Sequence, residues 1–135
     1  MDRPSHLGLR HLALNARNLE AMKAFYVDLL GYTVEWEPDA DNVYLSSGID
    51  NLALHRDARG AAPAETPVRS SLDHLGLIVR EPDDVDRWAA FLERRGVAMD
   101  AVPRTHRDGA RSCYVRDPDG NSVQIIYHPP ISEKV

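Results

Sequence analysis

The chain has 135 residues, which suffice for one ordinary domain or two small modules, and its net charge is −5. Its 16 Lys and Arg residues form no long run among 21 Asp and Glu residues, so nucleic acids and anionic membranes are poor candidate partners. No apolar stretch approaches the ~20 residues of a membrane span, and no secretion segment is recognisable, so we expect a cytoplasmic protein. The single cysteine, Cys113, excludes an internal disulfide and a cysteine-rich zinc site.

The first half of the sequence predicts the element order β-α-β-β-β. Residues 11–14 alternate as a short strand, and residues 19–30 carry an apolar stripe at helical spacing. Gly31 suits the left-handed conformation that ends a helix. Three further strands are predicted at residues 33–36, 43–46 and 52–56.

The second half predicts the same order after a linker at residues 57–71. The linker is rich in Ala and Pro and shows neither helical nor strand periodicity. The predicted elements are a strand at 73–79, a helix from 82 or 83 to 95, and strands at 97–101, 112–116 and 122–127. The Asp-Pro-Asp-Gly sequence at 117–120 is a strong turn signal between the last two strands.

The two halves also resemble each other residue by residue. Each has a histidine, an apolar strand, an acidic break and a helix with Ala-Phe before a closing glycine; the matching pairs are His11 with His74 and Gly31 with Gly96. Such self-similarity indicates an internal repeat. We therefore predict an α+β fold with two tandem β-α-β-β-β modules, residues 7–56 and 72–128.

Several of these motifs together resemble those of a known superfamily. They are the paired first-strand histidines, Ala-Phe-Tyr-x-Asp-x-Leu-Gly at 24–31 and Asp-Pro-Asp-Gly-Asn at 117–121. The sequence resembles the vicinal oxygen chelate superfamily of glyoxalases, bleomycin resistance proteins and extradiol dioxygenases, over about residues 7–128. The resemblance implies one domain whose two modules form a curved mixed sheet around a central cavity. By analogy with small relatives, it also implies a homodimer.

The resemblance further implies a divalent metal (Zn, Fe, Mn or Ni) bound by residues of the first and fourth strands of each module. Carried over by position, the ligands are His11, His74 and Gln124, with Gln124 where a glutamate is usual. Ala53 occupies the fourth ligand position. Imidazole suits these metals, but a neutral amide makes a weaker site than a carboxylate. The alternative is that the two histidines only line a polar cavity.

Two further residues are candidate catalytic groups. His55 lies two residues after Ala53, so strand alternation points both side chains to one face, where His55 would act as a base or as a metal ligand. Tyr114 shares a face with Ser112, and in fosfomycin-modifying relatives a Ser-x-Tyr pair of this strand faces the substrate. The alternative for Tyr114 is a structural role inside the sheet. Cys113 has the opposite parity, which argues against a nucleophilic role.

A basic stretch precedes that strand. Residues 104–111 contain three arginines and one histidine, a local positive charge that suits an anionic substrate. Together with Ser112, Arg111 is our candidate for binding substrate. The alternative is a solvated loop with no binding role.

Two functions of different classes remain open at this level. One is a small metal-dependent enzyme (a lyase, dioxygenase or transferase) in which the metal chelates two substrate oxygens and stabilises an enolate or alkoxide. The other is a metal-free protein that binds a small molecule such as an antibiotic, as bleomycin resistance proteins do. Retained His11 and His74 favour the enzyme, whereas Ala53 and Gln124 favour the binding protein.

Overall fold

The computed structural model describes residues 3–60 and 72–134. The chain divides into two compact units, Met1–Pro63 and Ala64–Val135. Of the predicted linker, residues 61–71 lie outside the described part of the chain. No helix within that part is long and apolar enough to cross a membrane.

Unit 1 has the predicted order of elements. They are β1 (His11–Ala16), α1 (Leu19–Ala24) continuing into a π-helical turn (Phe25–Leu29), β2 (Thr33–Asp39), β3 (Asn42–Ser46) and β4 (Asn51–Arg56). The strands form one sheet in the order β1-β4-β3-β2. β1 pairs with β4 in parallel, and the other neighbours are antiparallel.

Unit 2 repeats this topology. Its elements are β5 (Leu75–Ile78), α2 (Pro82–Arg94), β6 (Ala101–Thr105), β7 (Arg111–Arg116), β8 (Ser122–Tyr127) and α3 (Pro129–Ser132). The sheet order is β5-β8-β7-β6, with β5 parallel to β8. Two four-stranded mixed sheets with a few helices confirm the predicted α+β class and the internal repeat.

Each sheet buries one face under its own helix. In unit 1, Met22 and Tyr26 of the helical segment and Leu45 and Leu54 of the sheet are fully buried. In unit 2 the apolar core consists of Val85 and Ala89 from α2 and Cys113 and Ile125 from the sheet. Burial of a large apolar side chain contributes about 1.5–3 kcal/mol, so these contacts hold each helix against its sheet. The opposite face of each sheet is here called its open face.

Both edge strands carry a proline at an irregularity in the ladder. The pairing of β2 with β3 shifts register between Trp36 and Asp39, which brackets Pro38. The pairing of β6 with β7 shifts between Ala101 and Arg104, which brackets Pro103. A proline lacks the N–H of the ladder and is tolerated at such a bulge on an edge. The bulge is therefore part of the repeated unit.

The structure differs from the sequence-based prediction in the bounds of several strands and in three further respects. The helical segment of unit 1 ends in a π-turn, in which the N–H of Leu30 donates to the carbonyl of Phe25 at 3.2 Å. β6 begins at Ala101 rather than at residue 97, because the N–H of Val97 closes the end of α2 by donating to Leu92 O at 3.0 Å. The short helix α3 was not predicted. The hydroxyl of Ser132 anchors it by donating to the carbonyl of Val79 at 2.8 Å.

Candidate functional site

Strand register determines which side chains share the open face of unit 1. Ala13 of β1 pairs with Ala53 of β4, which lies opposite Tyr44 of β3, and Tyr44 lies opposite Trp36 of β2. Side chains at paired positions project from the same face of a sheet. A second row on this face pairs His11 with Asn51, and a third joins Asn15, His55 and Asn42.

The open face of unit 2 has the same arrangement. Its central row contains Gly76, Gln124, Tyr114 and Ala101. A third row joins Ile78, Ile126, Ser112 and Arg104. His74 lies two residues before Gly76, so strand parity places it on this face, in the position that His11 occupies in unit 1. The structure thus brings Ser112, Tyr114, Gln124 and His74 to one face.

The two predicted metal-binding histidines have similar ring environments. In each, the Nδ1 atom is bonded to a side-chain oxygen, at 2.8 Å to Asn51 Oδ1 for His11 and at 2.6 Å to Asp73 Oδ1 for His74. An ionised carboxylate only accepts hydrogen bonds, so the Nδ1 of His74 carries the proton and its Nε2 keeps a free lone pair. A hydrogen bond that fixes one ring nitrogen in this way is typical of histidines that bind metals through the other.

His55 belongs to a three-residue hydrogen-bonded chain. The amide nitrogen of Asn42 donates to Asp39 Oδ1 at 2.9 Å, and the amide oxygen accepts from His55 Nδ1 at 2.6 Å. Hydrogen bonds, the strongest from the N–H of Asp41, hold the pKa of Asp39 below its ordinary value. Because a carboxylate can only accept, the Asn42 amide has one orientation and Nδ1 of His55 donates, so the neutral form of His55 presents an unprotonated Nε2. That is the form a general base requires.

Each open face carries a tyrosine at the same register position. The ring of Tyr114 meets His74 edge-on, with centroids 5.6 Å apart. The ring of Tyr44 meets His55 edge-on at 5.7 Å and stacks on Trp36 at 5.0 Å. Sequence reasoning missed Tyr44 and Trp36. Alignment of residues 42–46 with 112–116 would have found Tyr44, because the repeat places it opposite Tyr114.

Gln124 and Ala53 occupy equivalent positions with opposite properties. Gln124 is 8% exposed, and its side chain makes no hydrogen bond within the described part of the chain. A Cβ added at Gly76 would lie 3.5 Å from Gln124 Oε1, so the missing side chain of Gly76 leaves room beside that oxygen. Ala53 is 0% exposed. Unit 2 therefore offers an oxygen donor at a position that in unit 1 is apolar and closed.

Ser112 and the basic stretch meet at one end of the open face of unit 2. Ser112 is 2% exposed, and its Oγ lies 2.9 Å from His106 Nε2. The Nδ1 of the same ring lies 3.1 Å from a guanidinium nitrogen of Arg104. Arg104 is also the strand partner of Ser112. Residues 104–108 line a pocket of about 670 Å³.

The structure does not bring Arg111 to this face. Its position in β7 has the opposite parity to Ser112, so its side chain projects toward α2. There the guanidinium donates to both carboxylate oxygens of Asp86 at 2.7 and 2.8 Å, which holds the pKa of Asp86 below its ordinary value. The geometry thus gives no support to substrate binding by Arg111.

Cys113 has the same parity as Arg111 and lies in the core beneath α2. Burial raises the pKa of its thiol to about 11. A nucleophilic cysteine needs the thiolate, so this environment agrees with the sequence-based argument against such a role.

Each unit contributes donor groups to the predicted set of metal ligands. No group of three or more His, Cys, Asp or Glu side chains suited to a metal ion occurs within residues 3–60 and 72–134. The predicted set has two imidazoles and one amide oxygen, so it does not depend on such a group. The free Nε2 of His74 and the unbonded oxygen of Gln124 share a face and fit a divalent ion chemically.

The chain is similar to three known proteins over most of its length. The chain is 30% identical over 120 residues to the glutathione transferase FosA of Serratia marcescens, covering 87% of this chain and 78% of that protein. It is 29% identical over 119 residues to biphenyl-2,3-diol 1,2-dioxygenase 3 of Rhodococcus globerulus, but spans only 61% of that enzyme's length. The crystal structure of lactoylglutathione lyase from Agrobacterium tumefaciens matches with a TM-score of 0.77 and 25% identity, over 95% of this chain and 98% of that one.

A family model also matches residues 8–125. That range includes the first-strand histidines of both units, both open-face tyrosines and Gln124. The chain therefore belongs to the Glyoxalase/Bleomycin resistance protein/Dioxygenase superfamily.

Proposed function

We propose that this protein is a small metal-dependent enzyme of the glyoxalase or dioxygenase type, with His11, His74 and Gln124 as ligands of a divalent metal. The observation that supports this most directly is that two repeat-equivalent histidines each have Nδ1 bonded to a side-chain oxygen, while Nε2 has no hydrogen-bond partner among the described residues. A structural histidine needs no such pairing in both halves of a repeat. When bound, the metal would supply Lewis-acid stabilisation of negative charge on substrate oxygens.

Proton transfer is assigned to side chains of the open faces. His55 presents a basic Nε2, because Asp39 and Asn42 fix its ring in one tautomer. Tyr114 presents a hydroxyl beside His74 and Gln124. A positioned base and a positioned hydroxyl are the two groups that general acid–base catalysis requires. The relatives named above include a transferase, a dioxygenase and a lyase, so the proposal does not extend to a single reaction.

Metal content is the direct test. Protein purified without a histidine tag should contain close to one equivalent of a divalent metal, or take it up from Mn, Fe, Ni or Zn salts. His74→Ala should lose that metal, measured by elemental analysis. His6→Ala is the matched control, because His6 lies before the first strand and its ring accepts the N–H of Gly8 at 3.0 Å. Retention of metal by His74→Ala would refute the site.

Gln124→Glu tests the third ligand. A carboxylate adds the negative charge that the amide lacks, so competitive titration should show tighter metal binding. Equal affinity would argue against Gln124 as a ligand. Absence of metal uptake by the wild type would instead favour a metal-free binding protein.

A further inference from the structure

We propose that Arg56 and the bend that it holds, residues 39–41, position His55 by acting through Asn42, so that the ring keeps its proton on Nδ1 and presents Nε2 to the open face of unit 1. Arg56 is thus a positioning residue on the opposite side of the sheet from the base. The proposal rests on the proposed function for the use of His55 as a base. The tautomer itself depends neither on a metal nor on turnover.

Arg56 binds the bend between β2 and β3 from the side of α1. Its backbone N–H donates to Asp41 O at 2.8 Å, its Nε donates to Asp41 Oδ1 at 2.8 Å, and its Nη2 donates to Ala40 O at 3.0 Å. The same guanidinium forms an ion pair with Glu20 of α1. A guanidinium is planar and donates in fixed directions, so these bonds together hold the bend in one conformation.

Asp39 connects this bend to the open face. Its Oδ1 accepts the N–H of Asp41 at 2.8 Å and the amide nitrogen of Asn42 at 2.9 Å, and its Oδ2 lies 3.2 Å from the same amide nitrogen. One carboxylate is therefore bonded both to the backbone of the bend and to the side chain of Asn42. The orientation of that amide depends on the conformation that Arg56 holds.

Asn42 transmits this orientation to the ring of His55. Because the amide nitrogen donates to Asp39, the amide oxygen faces His55 Nδ1 at 2.6 Å, and Nδ1 has to donate. In free histidine the tautomer with the proton on Nε2 predominates, so the opposite tautomer needs a partner that imposes it. The ring of Tyr44 packs edge-on against the imidazole, with centroids 5.7 Å apart, and restricts its rotation.

Unit 2 shows that the sheet itself does not require this arrangement. The positions equivalent to Asn42 and His55 are Ser112 and Ile126, and the connection between β6 and β7 has five residues instead of two. Both sheets nevertheless have the same order of strands. The hydrogen-bonded set of unit 1 is therefore better explained by the histidine that it orients than by the needs of the fold.

The tautomer of His55 is the direct readout, and Asp39→Asn is the main variant. Nitrogen-15 spectra of the histidine side chains are recorded on protein without a histidine tag at about pH 8.5, where histidine is neutral. We expect wild-type His55 to be protonated on Nδ1. An amide at position 39 can accept as well as donate, so the Asn42 amide is no longer fixed, and the ratio of the two tautomers should change by roughly fivefold or more. Wild-type His55 protonated on Nε2, or an unchanged ratio in Asp39→Asn, would overturn the proposal.

Exchanging the two side chains provides a rescue. In the double variant Asp39→Asn with Asn42→Asp, the amide at position 39 donates to the carboxylate at position 42, which in turn accepts from Nδ1 of His55. The net charge is that of the wild type, and the wild-type tautomer should return. A role of Asp39 confined to the stability of the bend predicts no such recovery, so a persistent loss would contradict action through position 42.

Arg56→Gln tests the outer part of the set. It removes the guanidinium but keeps the backbone bond to Asp41, so the tautomer ratio should move in the same direction as in Asp39→Asn but by less. Lys23→Gln is the matched control, because Lys23 also joins α1 to a neighbouring strand by pairing with Glu37 of β2. An equal change in Lys23→Gln, or none in Arg56→Gln, would show that Arg56 is not a positioning residue.

His74→Ala separates this inference from the proposed function. That variant should lose metal but keep the wild-type tautomer of His55. A protein that takes up no metal but has His55 protonated on Nδ1 would refute the metal-dependent enzyme and leave the positioning set intact. A protein that binds one equivalent of metal but has His55 protonated on Nε2 would refute only the positioning set.

Discussion

The open faces of the two units share a scaffold but differ in chemistry. Both keep a histidine at or just before the start of the first strand and a tyrosine in the middle of the third. At four other equivalent positions the two units differ in polarity, size or charge; the pairs, unit 1 first, are Ala53 and Gln124, His55 and Ile126, Trp36 and Ala101, and Asp39 and Arg104.

This pattern indicates that the two copies have divided their roles. Unit 1 keeps the candidate base and an aromatic surface, in which Trp36 is 59% exposed. Unit 2 keeps the amide oxygen of Gln124 and the hydrogen-bonded residues Arg104, His106 and Ser112. A repeat that served stability alone would need only the buried helix-facing positions, and these stay apolar in both copies, as with Val43 and Cys113. The divergence is therefore concentrated on the faces that can meet a ligand.

Exchanging the central residues of the two faces should give the largest effect. Ala53→Gln introduces a larger side chain and an amide at a fully buried position, so we expect it to lower the free energy of unfolding by about 2–4 kcal/mol. Gln124→Ala removes an amide that has no hydrogen-bond partner among the described residues and should cost less than about 1 kcal/mol. Urea unfolding of both variants measures the difference.

Ala21→Gln is the matched control for that exchange, because it places the same side chain at an exposed position of α1. If Ala53→Gln cost no more than Ala21→Gln, position 53 would be open. The contrast between a closed position at Ala53 and an oxygen donor at Gln124 would then not hold.

Much of this difference between the two open faces could be predicted from the sequence. Strand periodicity and the internal repeat determine which face of the sheet each side chain occupies. Strand alternation alone places Cys113 on the other face of the sheet from Tyr114, and the repeat alone pairs His11 with His74. The prediction for Arg111 shows where such reasoning stops. The charge pattern groups residues 104–111 into one basic stretch, although alternation along β7 sends Arg111 to the helix and leaves Arg104 beside Ser112.

Hydrogen-bonded chains were beyond sequence reasoning for a different reason. Asp39 contacts Asn42 through a bend between β2 and β3, and His106 reaches Ser112 across the turn before β7. Neither contact follows from periodicity, since each depends on where an edge strand bulges. The prolines at 38 and 103 were the available signal, because a proline inside a predicted strand marks an edge or a bulge.

Cys113 provides a second test, which compares the two faces of one sheet. With a thiol pKa of about 11, the folded protein at pH 8 should react with a thiol reagent about a hundredfold more slowly than the urea-unfolded chain, whose thiol has an ordinary pKa. Because the folded pKa is the higher one, the associated stability is complete below the unfolded pKa of about 8.5 and declines as the pH rises toward 11. Reaction kinetics followed by absorbance measure the first effect.

The control for that experiment places a thiol on the other face. Ser122→Cys in a Cys113→Ala background puts the only cysteine on the open face, beside the row of His74, and it should react at nearly the unfolded rate. Fast reaction of Cys113 in the folded wild type would show that the helix-facing side of β7 opens readily. The pH dependence between 8.5 and 11 should be weaker in Cys113→Ala than in the wild type.

The smallest effect is expected for Arg111→Gln. The ion pair with Asp86 is partly exposed, with the Asp86 side chain 48% accessible, and such pairs contribute little to stability. Since Arg111 lowers the pKa of Asp86, any contribution is present above the unfolded pKa of about 4 and disappears as Asp86 is protonated at lower pH. The urea midpoints of wild type and variant should therefore differ slightly at pH 7 and converge toward pH 3. A difference of more than about 1 kcal/mol in the free energy of unfolding at pH 7 would contradict the small contribution expected of a partly exposed ion pair.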